Sequence, residues 1–365
     1  MRILYLVPKI NAEGGLERVL SLKANYLVEH FKHDVSILTQ NNGNTSLFYP
    51  LNSKINLFDI DLSGNRIQFV TKYIKEVSRV VKLVNPDVLI VADSIPKALL
   101  ISLSVRNRRI IYECHNSIFV ELSQKNRNFV SNWIPKFNYW FNRFGAKRML
   151  EFVALSKESL LEWNIPNGKI IPNPIWLQTE RVSDLSSKKI LIVSRHSYEK
   201  GLDRFFEIWK RVSPDYPDWK VEIYGKSSDQ YNFNEVVNQL GISDSVDFFE
   251  PVKDIEQKYL ESSIYVMTSR YEAFPMVLLE AMACGLPTIA YDCPCGPRAI
   301  ITNNENGFLI QDGDQSAFVI TLQKLIESKE LREKMGATAK KHSKKYDIDL
   351  IMNQWNSLIT SKTTN

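Results

Sequence analysis

The sequence lacks any long apolar run. No stretch approaches the roughly 20 apolar residues that a bilayer-spanning helix needs, so no spanning segment is expected. Cysteine is scarce: Cys114, Cys284, Cys293 and Cys295 are the four among 365 residues. The lone Cys-x-Cys has no second pair at zinc spacing, which argues for free thiols in a reducing, cytoplasmic setting. Charge of one sign is missing too. The 46 basic and 41 acidic residues leave a net charge of +5, which permits an anionic ligand or membrane surface without requiring either. The full Gly-x-Gly-x-x-Gly dinucleotide fingerprint is absent, as are short repeats and low-complexity tracts. The opening MRILYLVPKI has a short apolar run and no small-residue cleavage site, so it reads as a first strand rather than a signal peptide.

What is present is an ordinary globular composition, 44% apolar and 24% charged, long enough for two domains of about 150 residues. Short β-branched runs alternate with longer amphipathic stretches, the pattern of parallel sheets with crossover helices. Strands are expected at Arg2–Val7, Asp34–Thr39, Val88–Ala92, Arg109–Glu113 and Phe152–Leu155, with a further one near Lys54–Ile60. After the proline-rich and polar residues 172 to 188 a second series follows, beginning at Lys189–Val193 and including Ile264–Thr268 and Thr288–Tyr291. The reading is α/β: two Rossmann-like doubly wound domains, residues 1–178 and 179–345, facing each other across a cleft. A terminal helix at about 346–362 is expected to pack back on the first. In such sheets ligands bind outside the carboxyl ends of the strands.

Glu272 and Glu280 stand in the otherwise apolar run EAFPMVLLE, with seven residues between them. Pro275 suits the first turn of a helix, Leu278, Leu279 and Met282 supply its packing face, and Gly285 ends it. Glu272 then lies in a strand–helix loop and Glu280 in the helix. Either both acids face solvent, or both face a polar ligand such as vicinal hydroxyls. The N–H groups of Ala273, Phe274 and the turn at Pro275 could hold a phosphate between them. Arg195 and Lys200 flank HSYE just past a strand; they are either exposed cations or a clamp for a diphosphate. Gly14 and Gly15 after the first strand form a plain turn or permit close backbone approach to a ligand. His115, just past Arg109–Glu113, is a structural histidine or a site residue. His196 has no assigned role beyond its loop.

The segments GGLERVL, IPNPI, SRHSYEKGLD, EAFPMVLLE and ACGLPTIAYDCPCGPRAII occur in this order over nearly the whole chain. Together they resemble the retaining GT-B glycosyltransferases of family 4, the glycosyl transferases group 1 type, which includes bacterial enzymes of polysaccharide and lipid-linked glycan assembly. The resemblance implies an E-x7-E signature in which Glu272 positions the donor sugar and Glu280 the ribose. It implies that Arg195 and Lys200 bind the donor diphosphate, that Gly14 and Gly15 approach it, and that His115 contacts the sugar. The loop FFEPVKD, around Val252, would border the nucleobase through backbone groups. One departure is Ala299, where a common family variant has an acid.

The implied activity moves a hexosyl group with retention from a nucleotide diphosphate sugar, a UDP-sugar above others, to a glycan or lipid-linked glycan. The nucleotide sugar would be a co-substrate; no cofactor and no obligatory metal are implied. The pairs Asp59/Asp61, Asp312/Asp314 and Asp347/Asp349 have the Asp-x-Asp spacing of metal-dependent transferases, but their positions suit capping or surface roles. The alternatives are a nucleotide-sugar epimerase or a non-catalytic nucleotide-sugar-binding scaffold of the same fold. Residues 125–148 hold six basic residues, seven aromatics and no acid. They make either a core-packing helix or a peripheral contact with an anionic membrane at the inner face. No nucleic-acid module is evident.

Overall fold

A computed structural model describes residues 1–43, 46–105, 108–117, 140, 142–147, 151–166, 168–228 and 230–361. The chain divides into two compact units, Met1–Pro174 with Ile348–Asn365, and Ile175–Asp347. The change of unit comes four residues before the expected 178/179 boundary. Ile175 already donates its N–H to the Tyr346 carbonyl of the second unit (2.8 Å), a tertiary bond that linker composition does not reveal. Most of the expected stretch 125–148 lies outside the described residues.

The first unit holds a parallel sheet of β1 (Arg2–Leu6), β2 (Asp34–Gln40), β3 (Asn56–Ile60), β4 (Val88–Val91), β5 (Arg109–Cys114), β6 (Glu151–Ala154) and β7 (Lys169–Ile170). Their spatial order is β3-β2-β1-β4-β5-β6-β7. Between them run α1 (Gly15–Glu29), α2 (Arg66–Val84), α3 (Ile95–Ser104) and α4 (Lys157–Trp163). Both faces of the central strands are covered, as parallel sheets require. Leu4, Leu6, Leu89 and Val91 join the α2 and α3 side of the core. Ile3, Tyr5, Val88 and Ile90 join the α1 side. Alternation along a strand thus becomes two apolar layers. Helix α2 starts at a capping box in which Asn65 and Gln68 each accept the other's backbone N–H. The two-residue β7 escapes sequence reading because no period can be measured on two residues.

The second unit repeats the architecture with β8 (Lys189–Val193), β9 (Lys220–Tyr224), β10 (Val246–Phe249), β11 (Ile264–Met267), β12 (Thr288–Asp292) and β13 (Gly307–Gln311). Their order is β10-β9-β8-β11-β12-β13. Its helices are α5 (Leu202–Val212), α6 (Phe233–Leu240), α7 (Ile255–Leu260), α8 (Met276–Ala283), α9 (Pro297–Ile300), α10 (Gln315–Glu327) and α11 (Lys329–Ser343). In each sheet the strand order reverses at one place, between β1 and β4 and between β8 and β11. That switch point is where doubly wound sheets open a crevice for ligands.

Helix α12 (Ile348–Thr360) returns to the first unit and packs on α1. Its Trp355 is 1% exposed. Tyr26 donates to Asp349 (2.5 Å), and the His33 ring bonds Asn356 (2.8 Å). Arg109 is held by both oxygens of Glu151 and donates to the Leu358, Ile359 and Ser361 carbonyls. A cation at these last carbonyls satisfies acceptors that the helix itself leaves open.

The depth of Trp355 makes α12 part of the first core. Trp355→Ala is expected to cost about 3–5 kcal/mol and to speed hydrogen exchange in β1 and β5 peptides. Leu350→Ala, at a 54% exposed position of the same helix, is the control and should leave exchange unchanged.

Candidate functional site

The β8 and β11 ends meet at the switch point of the second sheet. The chain leaves β8 through the loop Ser194–Gly201, closed by a tight turn at Tyr198–Lys200. Gly201 has φ +64, and a Cβ there would meet the Thr268 carbonyl at 2.2 Å. Backbone conformation and space both demand glycine. The Thr268 hydroxyl donates to the Gly201 carbonyl (2.9 Å), so the loop is pinned against the end of β11.

A second tie comes from Arg270, just beyond β11. Its guanidinium donates to both carboxylate oxygens of Asp203 (2.8 and 2.6 Å) and to the Tyr198 carbonyl (2.6 Å), and lies 3.9 Å over the Tyr198 ring. Its backbone N–H donates to the Glu199 carbonyl (2.8 Å). Burial alone would raise the Asp203 pKa, but the Arg270 bonds and charge outweigh it and hold the carboxyl below its ordinary value. Such bidentate pairing fixes geometry as well as charge. Sequence reading passed over both residues; an Arg beside the signature and an Asp opening a helix carry no distinctive pattern.

These ties bring Lys200 to Glu272, with Nζ 2.7 Å from Oε1. The Ser269 hydroxyl donates to the same oxygen (2.8 Å). Both ends of the ion pair are partly open, at 20% and 12% side-chain exposure. Behind Glu272 stands Gly296, where a Cβ would lie 2.5 Å from Pro275 Cδ and 2.9 Å from Glu272 Cβ. The loop of Pro294–Gly296 therefore backs the glutamate at backbone distance, with Gly296 N–H on the Glu272 carbonyl (3.0 Å). Arg195 is placed differently. It is 69% exposed and bridges Glu199 within its own loop (3.2 Å).

Helix α8 begins one residue later than expected, with Pro275 as its N-cap at φ −76, ψ 95. Ala273 and Phe274 lie in the approach to its first turn, where backbone N–H groups lack helical acceptors. The Phe274 ring turns inward, 7% exposed and 5.7 Å from the Tyr346 ring. Only its backbone is at the turn's disposal.

Glu280 is not on a solvent face: it is 3% exposed. Its carboxylate accepts from Trp176 Nε1 (2.6 Å) and from the Tyr259 hydroxyl (2.8 Å). The physical reason is that α8 is enclosed, with Leu278, Leu279, Ala281, Met282 and Ala283 buried around it. A helix apolar on all sides has no outer face, so a polar residue within it must find internal donors.

Val252 lies in the loop after β10 and is 37% exposed. His196 is buried against the edges of Phe233 and Phe248 (5.7 and 5.4 Å), and that burial lowers its pKa. Among the aspartate pairs, Asp314 caps α10 and Asp312 accepts from Arg204 (2.6 Å). Asp59 accepts from Thr39 and from the N–H groups of Asn42 and Gly43, while Asp61 accepts from Ser63. Asp347 follows a short turn, and Asp349 takes the Tyr26 hydroxyl. A cavity of about 500 Å³ lies elsewhere in this unit, lined by Val182, Leu185, Gly285 and Lys340 among others. None of the expected site residues lines it.

In the first unit, Gly14 is extended (φ −78, ψ 165) and Gly15 opens α1. No unusual dihedral requires glycine here. A Cβ on Gly15 would meet nothing within 4 Å, and on Gly14 only the flexible Glu17 side chain. Trp140 and Phe144, the described aromatics of the 125–148 stretch that pair, stack at 5.4 Å and are 58% and 41% exposed.

His115 follows β5, with Nε2 3.0 Å from Glu113 Oε1. That oxygen also receives Lys23 Nζ at 2.5 Å. Lys23 and Glu113 are 1% and 2% exposed, and the lysine lies 3.7 Å over the Trp355 ring. Burial pushes the Glu113 pKa up, but Lys23 and then His115 outweigh it and bring the carboxyl from 4.5 to about 2. Burial pulls the Lys23 ammonium down, partly opposed by Glu113. Sequence reading singled out His115 but neither partner, although an acid inside the apolar run RIIYEC was a legible signal.

Comparison with known proteins places these features. The family model described as glycosyl transferases group 1 matches residues 178–342. An uncharacterized glycosyltransferase of Haemophilus influenzae is 28% identical over 98% of this chain and 99% of its own. The amylovoran biosynthesis glycosyltransferase AmsD of Erwinia amylovora is likewise 28% identical over 98% and 99%. The Anabaena protein Alr3699/HepE, solved with UDP-glucose, superposes with a TM-score of 0.77 over 99% of this chain and all of that one, at 18% identity.

The depressed Glu113 pKa has a defined pH signature. Its contribution to stability is full above the ordinary carboxyl value near 4.5 and is lost as pH falls toward about 2. Denaturant unfolding of the wild type should therefore weaken over this window more steeply than that of Lys23→Met/Glu113→Gln, which carries no buried charge pair. Equal slopes would show that Glu113 is not ionised in the folded protein.

Proposed function

We propose that this chain, which is similar to the group 1 glycosyltransferases and has the GT-B fold, moves a hexosyl group from a UDP-sugar to a hydroxyl of a glycan or lipid-linked glycan, with retention and without an obligatory metal. The observation that carries the reading is the Lys200–Glu272 pair at the switch point of the second sheet. An ammonium and a carboxylate held there by backbone ties suit a ligand that is a diphosphate at one end and a polyol at the other.

In this reading the donor exchanges partners with the resting pair. A phosphate oxygen takes Lys200, and sugar hydroxyls take Glu272, whose two protein contacts fall on one oxygen. Arg195, mostly exposed, adds a second cation to the diphosphate. The backbone from Ala273 to Pro275 leads into the α8 N-terminus, which favours negative charge. The bond from the anomeric carbon to the β-phosphate oxygen breaks, and its electron pair leaves on the diphosphate. Positive charge builds on the sugar as it departs. The acceptor hydroxyl oxygen forms the new bond on the same face and passes its proton to the leaving phosphate. The products are UDP and the glycoside. His115 meets the transferred sugar. The protein thus supplies charge where the transition state develops it, the usual source of the largest rate term.

Glycan assembly as the setting is supported by the name of the Erwinia relative. Uridine as the base is supported by the UDP-glucose bound in the Anabaena neighbour. For a lipid-linked acceptor the protein would work at the inner face of the cytoplasmic membrane. No helix among the described residues is long and apolar enough to cross a membrane, so contact would be peripheral, through 125–148.

The test is a thermal-shift screen against UDP-, GDP-, ADP- and TDP-sugars with EDTA present. One UDP-sugar should raise the midpoint. Lys200→Ala and Glu272→Gln should abolish that shift and lower UDP release from this donor by about 10²–10³. Conversion of UDP-GlcNAc without any acceptor would instead establish an epimerase. Binding that leads to no turnover on any acceptor would establish a scaffold. A dependence on Mg²⁺ would sink the metal-free mechanism.

A further inference from the structure

We propose that the second unit carries a docking site of its own for an anionic membrane lipid. The site is the cavity beside α11, which takes the start of an acyl chain while lysines at its edge hold the lipid phosphate. It lies beyond the proposed function and needs no part of it, because its test reads binding rather than turnover. The cavity measures about 500 Å³, inside the roughly 300–1,000 Å³ of small-ligand sites. All of its lining residues belong to Ile175–Asp347.

One wall is the segment before β8, with Val182 and Leu185 in the lining. Ser183 fastens that segment: its N–H donates to the Cys284 carbonyl (2.9 Å) and its hydroxyl to the Ser262 carbonyl (2.5 Å). Leu185 is left-handed at φ +56, a conformation that bulky side chains rarely adopt. Its carbonyl receives Nε and Nη2 of Arg332 (3.3 and 3.0 Å), a guanidinium that is itself 5% exposed. The other wall is α11. Glu333, Gly336, Ala337, Lys340 and Lys344 recur there at three- and four-residue steps, one stripe of a helix. The small residues at mid-stripe leave the hollow unfilled. A Cβ on Gly336 would meet the Gly285 carbonyl at 2.1 Å, so no larger residue fits there. The hollow is thus preformed and mostly apolar.

Charge selects the occupant. Lys340, Lys341 and Lys344 all line the cavity. Lys340 donates to the Thr179 and Arg181 carbonyls (3.1 and 2.9 Å) and so ties α11 to the opposite wall. Lys341 and Lys344 are exposed, and their ammonium groups have no ion-pair or hydrogen-bond partner among the described residues. The acid in the lining, Glu333, is already matched by Lys329 (3.5 Å). Cations at a helix C-terminus favour its open carbonyls, which accounts for lysines near the end of α11. It does not account for an apolar hollow between them, nor for Val182, 56% exposed, in its lining. A free phosphate would use the lysines and leave the apolar wall empty. A neutral apolar ligand would do the reverse. A lipid with an anionic head uses both, at a surface whose potential attracts such lysines.

The test is flotation of the full chain with vesicles of phosphatidylglycerol or of phosphatidylcholine. The wild type should bind the anionic vesicles alone, and less as salt is raised; no binding to them overturns the site. Lys341→Gln/Lys344→Gln should weaken partition by about 10–30-fold. Lys210→Gln/Arg211→Gln removes the same charge from the exposed end of α5 and should weaken it less than about 3-fold. Equal losses in the two pairs would mean unspecific attraction and overturn the site. A contact through 125–148 is untouched by either pair and cannot mimic the difference. Ala337→Trp fills the hollow with every charge kept, and should weaken partition by about 10-fold; unchanged partition shows that no chain enters and overturns the proposal. Calorimetry with glycerol phosphate and with dihexanoyl phosphatidic acid separates head from chain. The acylated probe should bind about 10-fold more tightly or better, whereas equal affinities would mark a plain phosphate site. A serine-phosphorylated peptide that binds where vesicles do not would move the site to a protein partner and overturn the lipid. Should Ala337→Trp fail to fold, the lysine pair and the two soluble probes decide.

Discussion

Parallel sheets must be covered on both faces, and that constraint arranges everything else in this protein. A strand with apolar neighbours above and below has no side on which to display a functional group. Chemistry is displaced to the carboxyl edge, where loops leave the strands. β1, β4, β8 and β11 are nearly wholly buried, and each switch point lies between two of them. Gly201 shows how tightly the edge is built. Its missing side chain lets the loop after β8 rest on the Thr268 carbonyl just past β11, one residue from Lys200. The Arg270–Asp203 pair then keeps the approach from relaxing. The Lys200–Glu272 ion pair is thus set by two ties that involve neither residue.

Two of the ion pairs, Lys200–Glu272 and Lys23–Glu113, divide the work that charge can do. Lys200–Glu272 is partly solvated, so exchanging one partner for a phosphate or a hydroxyl costs little. Lys23–Glu113 is enclosed, and loss of either partner would strand a charge in low dielectric, a loss of several kcal/mol. Solvation therefore sorts them. The accessible pair suits a step in which partners are traded. The buried pair suits a fixed packing of β5 against α1 and α12.

Legibility followed the same division. The alternation of strands and helices, the two domains and the GT-B architecture were readable because periodicity and order survive in one dimension. Lys200 and Glu272 were each singled out because each follows a strand, and strand ends gather at one edge; that they pair was not readable. The partners that hold them were not. Arg270 and Asp203 gain their meaning from a contact 67 residues apart, and Lys23 and Glu113 from one 90 apart. The change of unit at Ile175 was not readable to the residue, since its backbone bond to Tyr346 is likewise a long-range contact. The glycines at 14 and 15 were read as a plain turn or as a close backbone approach; their backbone is ordinary, and a Cβ on Gly15 would meet nothing within 4 Å.

Glu280 is instructive, because spacing placed it on α8 and said nothing of what surrounds it. Helical position says which residues share a face, not what covers that face. The covering here is Trp176, from the segment that enters the second unit, and Tyr259 at the end of α7. Both present a polar hydrogen to this buried carboxylate. Burial of an acid without donors is costly, so the two aromatics and the glutamate stabilise one another, and the entry segment is fastened to α8 through its indole. A nucleotide reaching for this carboxylate would have to replace the indole as donor. The same hydrogen bond that secures the chain at Trp176 therefore sets a competitor against any ligand of Glu280.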